Sequence, residues 1–487
     1  MSAQLDGRLH PLGVVVLLRR AIGAGLLPLL VIVLSADTRV VAVLAVGLLA
    51  ALAYALLAWS HFRYRVADGR LELRSGVVRR SVRTIRIERV RGIVVTAPFL
   101  HRLLGLVRVE IEAAAGGGDK AELSLPAVSA AQADALRSSV LGVVPVAEQA
   151  DRNVLFRATP GALALGGVTS LSYLLAPAAV IGVVFNLVDD VPGNLVERAE
   201  DVLVDLTPHD TLGVAVAIGA AAVLVLVVAA AGSLLVDWNF TVSDDGERLT
   251  AERGLLTRRV VVLERDRVRG VDVRDTLLRR PFRLVSVNAL AAGLARKSGG
   301  TTLAPVLDRA AVHTLIRAVD PEAPDPSSPL TAHPGAARRR RLLRALPVPV
   351  VLLVFAVVLV EPWLIAAALV LTAAALLVAL DRYRQLGHAF DGRRLAVRGG
   401  SLHRRWSEVD PRAPAAYELR SSPFQRRAGL CTLWLHFGQG AGSRRVLDLG
   451  EDQAASLLRV LDASMLEPLL AGDQIGRVRL SGARRAI

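Results

Sequence analysis

The chain has 487 residues, 53% of them hydrophobic and only 4% aromatic, with a formal charge of +15. Its apolar share exceeds that of a typical soluble domain, and its single cysteine, Cys431, excludes an intrachain disulfide and a cysteine-based zinc cluster. Arginine supplies almost all the positive charge, Lys120 and Lys297 being the only lysines; beside long apolar stretches such a balance reads as control of membrane topology before it reads as nucleic-acid binding.

A bilayer crossing needs ~20 apolar residues, and the apolar stretches come in pairs. The first pair covers 21–36 and 40–59, preceded by "PLGVVVLLRR", which has the makings of a short interfacial segment. The second covers 161–188 and 211–236, and the third 345–360 and 363–380 with Glu361 and Pro362 at its tip. Arginines flank the pairs at Arg63 and Arg65, in "ARRRRLLR" (337–344), and at Arg382 and Arg384, whereas the loop from 189 to 210 is acidic. The positive-inside rule then places both termini in the cytoplasm and the acidic loop outside.

Each pair is followed by a similar stretch of about 80 residues. Adding 178 carries Leu71, Gly76, Arg80, Gly92, Val95 and Arg102 onto Leu249, Gly254, Arg258, Gly270, Val273 and Arg280; adding 324 gives Leu395, Gly400, Arg404, Ala416, Leu419 and Arg426. A constant offset over some thirty positions marks an internal repeat. In the first copy "HFRYRV" alternates up to the tight-turn signal Asp68-Gly69, and "LELR" alternates up to Ser75-Gly76. "VRTIRIERV" and "GIVVTA" are rich in strand formers, "PFLHRLLG" predicts a short helical turn, and "LVRVEIEA" and "KAELSL" flank a glycine turn at 116–118. "SAAQADALRSSVLG" (129–142) has helical spacing. The predicted fold class is α+β: six membrane helices in three hairpins, each followed by a small partly open β-barrel or sandwich capped by a C-terminal helix. The domain plan is 1–60 first hairpin, 61–145 first module, 155–236 second hairpin, 237–320 second module, 321–344 Pro/Ala/Arg-rich linker, 345–380 third hairpin, 381–467 third, divergent module, and 468–487 tail.

The Asp68-Gly69 turn, the Ser75-Gly76 turn before an arginine pair, and "HRLLGLVRVEIEA" (101–113) carry a resemblance to the bacterial pleckstrin-homology-like membrane proteins, and the resemblance covers nearly the whole chain. The second copy has Arg283 in place of the last motif's glycine, and the third has "DPRAPAAY" in place of "RVRG". The resemblance implies a PH-like fold, cytoplasmic modules in a bacterial cell membrane, and single-module relatives as partners.

Motifs for chemistry are missing. The nine histidines show no HExxH-type spacing, no GxxxxGK or GxSxG occurs, and three glycine-rich stretches share one repeat position, which makes them turns. No enzyme, cofactor or metal is expected. Polar residues in the second pair, Ser170, Ser172, Tyr173, Asn186 and Ser233, suit helix–helix hydrogen bonds. The functional lead is recurring arginine: Arg79, Arg80, Arg258, Arg259, Arg404 and Arg405 after the repeated turn, and Arg89, Arg91, Arg267 and Arg269 in "RVRG". These would contact anionic headgroups or a partner protein, or lie on solvated strands beside glutamates such as Glu72 and Glu88. Gly76, Gly254, Gly400, Gly105 and Gly429 mark the repeated turns. The expected function is a non-enzymatic membrane scaffold binding membrane-protein partners or anionic lipid, in an envelope or stress-response setting; the alternative is part of a small-molecule or peptide exporter, disfavoured by the near-absence of ionisable residues in the spans.

Overall fold

Asp68 and Gly69 both adopt positive φ, 51° and 68°, and close a two-residue hairpin whose flanking pair is Ala67 and Arg70. The computed structural model in which this turn is seen describes residues 5–22, 38–77, 80–113, 123–141, 153–175, 210–291, 302–437 and 442–461. The chain divides into two units, Met1–Glu264 and Arg265–Ile487, a boundary inside the second repeat.

The first unit begins with β1 (Leu5–Arg8), α1 (Gly13–Ile22) and α2 (Thr38–Ser60). It continues through β2 (Arg63–Ala67), β3 (Arg70–Ser75), β4 (Ser81–Arg86), β5 (Val90–Ala97), α3 (Phe99–Leu103), β6 (Leu106–Ala113), β7 (Leu123–Ser129) and α4 (Ala130–Leu141). Then come β8 (Asn153–Arg157), α5 (Pro160–Val168), α6 (Leu171–Leu174), α7 (Thr211–Asp237), β9 (Thr241–Asp244), β10 (Arg248–Arg253) and β11 (Arg258–Glu264). Strands form where the first repeat alternates, because period-two patterning turns one set of side chains inward. Tyr64, Val66, Leu71 and Leu73 thus meet Ile93, Val109, Ile111, Leu123 and Leu125 in one core, closed by Ala133, Leu136 and Val140 of α4. "PLGVVVLLRR" contributes α1, whose Val16 is buried with Leu106 and Ala127 while Leu12 and Val15 are exposed.

The sheets do not respect the repeat. One runs β1-β2-β3-β4; the other runs β7-β6-β5-β11-β10-β9-β8, joining the second half of the first module to the first half of the second. The joint pairs Arg258 with Ala97, Val260 with Val95 and Leu263 with Gly92.

The second unit contains β12 (Val268–Thr276), a 3-10 turn at Leu277–Phe282, β13 (Leu284–Ala291), β14 (Thr302–Asp308), α8 (Val312–Val319), α9 (Gly335–Ala345), α10 (Pro347–Val358) and α11 (Pro362–Arg384). It ends with β15 (Gly387–Phe390), β16 (Leu395–Gly399), β17 (His403–Val409), β18 (Ala416–Arg420), α12 (Pro423–Arg427), β19 (Leu430–His436), β20 (Ser443–Gly450) and α13 (Glu451–Leu461). The same joint recurs: the sheet order is β14-β13-β12-β17-β16-β15, and Asp275 faces Arg404 as Ala97 faces Arg258. Buried Asp272 ties the joint to the third module, accepting from Ser407 Oγ at 2.6 Å and from Arg444 Nη2 at 2.6 Å. Strands β18-β19-β20 form a separate sheet. Leu395, Val397, Leu433, Leu435 and Val446 meet Ala454, Leu457 and Leu458 of α13 in the third module's core.

The repeat offset holds in detail. Leu71, Leu249 and Leu395 are all buried, and Gly76, Gly254 and Gly400 have φ of 105°, 106° and 102°. Among the described residues three helices are long and apolar enough to cross a membrane: Thr211–Asp237, Gly335–Val358, where α9 runs on into α10, and Pro362–Arg384; Ala45–Ser60 is a shorter apolar helix. Ser233 of α7 donates to Leu163 O of α5 at 2.8 Å, the helix–helix role anticipated for it. Asn186, the span from 23 to 36, the glycine turn at 116–118 and the acidic loop up to 209 lie outside the described residues.

Candidate functional site

In the third module, Glu418 on β18 stands opposite Trp434 on β19, which stands opposite Arg445 on β20. Directly opposed residues share a face. Arg420 and Arg445 place their guanidinium carbons 5.1 and 5.2 Å from the centroid of the Trp434 ring, within cation–π range. His436 stacks on the same indole at 6.0 Å, and its Nε2 lies 2.9 Å from Glu418 Oε2. The exposed Glu418 carboxyl is held below its usual range by hydrogen bonds from Arg420 and His436.

This face forms one wall of a cavity of about 1220 Å³. The opposite wall is α9 and the end of α11, with Ala375, Val378 and Ala379 giving way to Arg382, and the turn Gly400–His403 closes one side. At the base, buried Asp448 accepts from Arg340 and, at 2.9 Å, from Arg341 Nη2, both on α9, and from Gln425 Nε2 at 2.9 Å. Two arginines of "ARRRRLLR" are therefore bolted to the third module. Ser401 Oγ and Arg404 Nη2 both donate to Asp381, at 2.6 and 2.7 Å, which fixes the turn to the end of α11.

Six arginines line the space, Arg340, Arg341, Arg344, Arg382, Arg420 and Arg445, against one lining carboxylate, Asp448. Among the described residues no carboxylate lies within ion-pair distance of Arg344 or Arg382. Rigid guanidinium forks beside seryl hydroxyls match the geometry of phosphate or carboxylate, and the apolar flank on α11 suits whatever such an anion is attached to.

A second feature recurs at the ends of the apolar helices. Arg102 of α3 donates to Leu255 O, and Leu255 N donates to Leu235 O of α7 at 3.0 Å. In the second unit, Arg280 donates to Ser401 O, and Leu277 N donates to Leu402 O at 2.8 Å. The tips so placed carry exposed apolar side chains: Phe99 and Leu103 beside Leu255 and Leu256 in the first unit, and Leu277, Leu278 and Phe282 beside Leu402 in the second.

The arginines singled out by the sequence do not converge on the cavity. Arg258 meets Glu252 at 3.0 Å, Arg404 meets Asp381, and Arg405 Nε lies 3.9 Å from Asp272. Arg80, Arg89 and Arg269 are exposed, and Arg259 and Arg267 are half-buried; Arg79 and the side chain of Arg91 lie outside the described residues. Sequence reasoning missed Arg344, Arg382, Arg420, Arg445 and Trp434 as a group. No local signal marks them, because the grouping of Arg420, Trp434 and Arg445 exists only in the β-register.

Tandem two-sheet modules, each followed or preceded by long apolar helices, define a membrane protein built from PH-like repeats. The Bacterial PH domain family matches residues 21–143, 182–323 and 345–471, and the chain belongs to that family. It is similar to the UPF0699 transmembrane protein YdbT of Bacillus subtilis (strain 168), with 23% identity over 431 residues, covering 84% of this chain and 86% of the relative. No solved structure matches the chain.

Proposed function

We propose that the chain is a multi-pass, non-enzymatic scaffold of the bacterial cell membrane, with six spans in three hairpins and three cytoplasmic PH-like modules, and that its third module holds an anionic lipid headgroup. The arginine-lined cavity at the end of α11 carries this reading. It offers two arginines without carboxylate partners among the described residues, Arg344 and Arg382, at the level where a span ends. Basic residues near an anionic leaflet gain ~1 kcal/mol each. The exposed apolar tips around Phe99 and Phe282 sit beside the ends of α7 and α11 and suit insertion at the acyl boundary. Partners bound by the modules would then be recruited to the membrane surface.

The test is lipid retention by the full-length protein purified in mild detergent and reconstituted in phosphatidylglycerol/phosphatidylcholine nanodiscs. Replacing Arg344 and Arg382 together by glutamate is expected to cut retained phosphatidylglycerol about thirtyfold, from ~2 kcal/mol of lost attraction, with phosphatidylcholine unchanged. Equal retention by the variant and the parent protein would refute the headgroup assignment. Arg340 and Arg341 are unsuitable for this test, because Asp448 needs them.

A further inference from the structure

The joint between modules occurs twice within the chain and leaves two ends unused. In each joint the first strand of a module's second sheet pairs with the third strand of the next module's first sheet: β5 with β11 and β12 with β17. Both use one register under the repeat offset, since Val260 faces Val95 and Trp406 faces Val273. Both are completed by an arginine of the tip, Arg102 or Arg280, donating to a carbonyl in the turn after the repeated glycine, Leu255 or Ser401. Among the described residues β18 pairs only with β19, and β4 only with β3. Thus, among the described residues, β18 is a donor half and β4 an acceptor half that no joint within the chain uses. Open edges of this kind template further pairing unless they are blocked.

We propose that β18 of one copy of this chain pairs with β4 of a second copy, continuing the intrachain joints head to tail between molecules. Transferring the register places Arg420 opposite Ser81, Leu419 opposite Val82, Glu418 opposite Arg83 and Tyr417 opposite Thr84. The charges then match, with the Glu418 carboxylate on the same face as Arg83. Arg426, the counterpart of Arg102 and Arg280, is exposed on α12, and its equivalent target is Val77 O in the turn after Gly76. The new joint is shorter than the other two. At Gly270 a Cβ would stand 2.1 Å from Glu408 O of the neighbouring strand, and the third module has Ala416 there. Pairing therefore ends at Tyr417, which suits a reversible contact between molecules. The contact is heterologous, so successive copies add in one direction in the membrane plane. It is independent of the lipid assignment above.

Cysteine cross-linking in native membranes tests it directly. Cys431 is buried and its thiol is pushed up to about 12 by that burial, so the parent chain is silent towards maleimide. Two differently tagged full-length copies are co-expressed, one carrying Val82→Cys and the other Leu419→Cys, and treated with a short bifunctional maleimide. The expected result is a cross-linked dimer containing both tags, with none when either variant is expressed alone. Arg83→Glu should lower the yield about two- to fivefold, the range for an opposed charge pair, and Glu418→Arg on the other copy should restore it. Three results overturn the proposal: no mixed dimer, a Val82→Cys homodimer, or a doubly substituted chain that links only within itself.

Discussion

Arg283 occupies, at φ 54° and ψ 30°, the left-handed position that Gly105 and Gly429 fill in the other two copies. A side chain there costs roughly 1–2 kcal/mol against the allowed right-handed conformation. Arg283→Gly is therefore expected to stabilise the second unit by about 1 kcal/mol, read as a higher denaturation midpoint with an unchanged slope. Glu408 gives a pH prediction. It is fully buried, Arg394 Nε is 3.4 Å away, and desolvation together with Asp320 raises its carboxyl from the ordinary 4.5 to about 8. The folded protein thus binds a proton across that window which the unfolded chain releases, so this group's contribution is full below pH 4.5 and is lost as the pH rises towards 8. Glu408→Gln should remove that slope: thermal unfolding at pH 5 would barely distinguish the variant, while at pH 8.5 the variant would melt higher.

At the scale of elements, small residues decide how the apolar helices meet. A Cβ on Gly167 of α5 would lie 2.4 Å from Ala229 O of α7, and the Ser233 hydrogen bond to Leu163 is one turn away. Close backbone approach of this kind holds helices together where lipid removes the hydrophobic incentive. Gly167→Leu is expected to part α5 from α7, seen as lost cross-linking between cysteines placed at Leu163 and Ser233 in membranes; unchanged cross-linking would contradict the packing described. The strands were far easier to foresee. Alternation in "HFRYRV" and "LELR", the Asp68-Gly69 turn and the helix beginning near Ser129 all appear where the sequence puts them, because each is fixed within a few residues. The cavity was not foreseeable in that way. Arg420, Trp434 and Arg445 come together through strand register, and Arg340 and Arg341 are drawn in by Asp448, more than a hundred positions along the chain.

At the scale of the whole molecule, the repeat was legible as a count of modules but not as a map of sheets. The constant offset announces three copies of one unit. It cannot announce that β5 seeks β11 or that β12 seeks β17, because edge pairing between copies leaves the apolar pattern of each copy unchanged. That continuity bears on how the chain is made. A ribosome delivers β5, β6 and β7 long before β11, and the sheet they share waits until α7 has been synthesised and has found its place. The growing protein therefore carries an unfinished edge through each round of elongation, completed by the next module to emerge. Deletions drawn at repeat boundaries would freeze it in that half-made state, whereas cuts that keep β5–β7 with β8–β11 would leave a finished sheet.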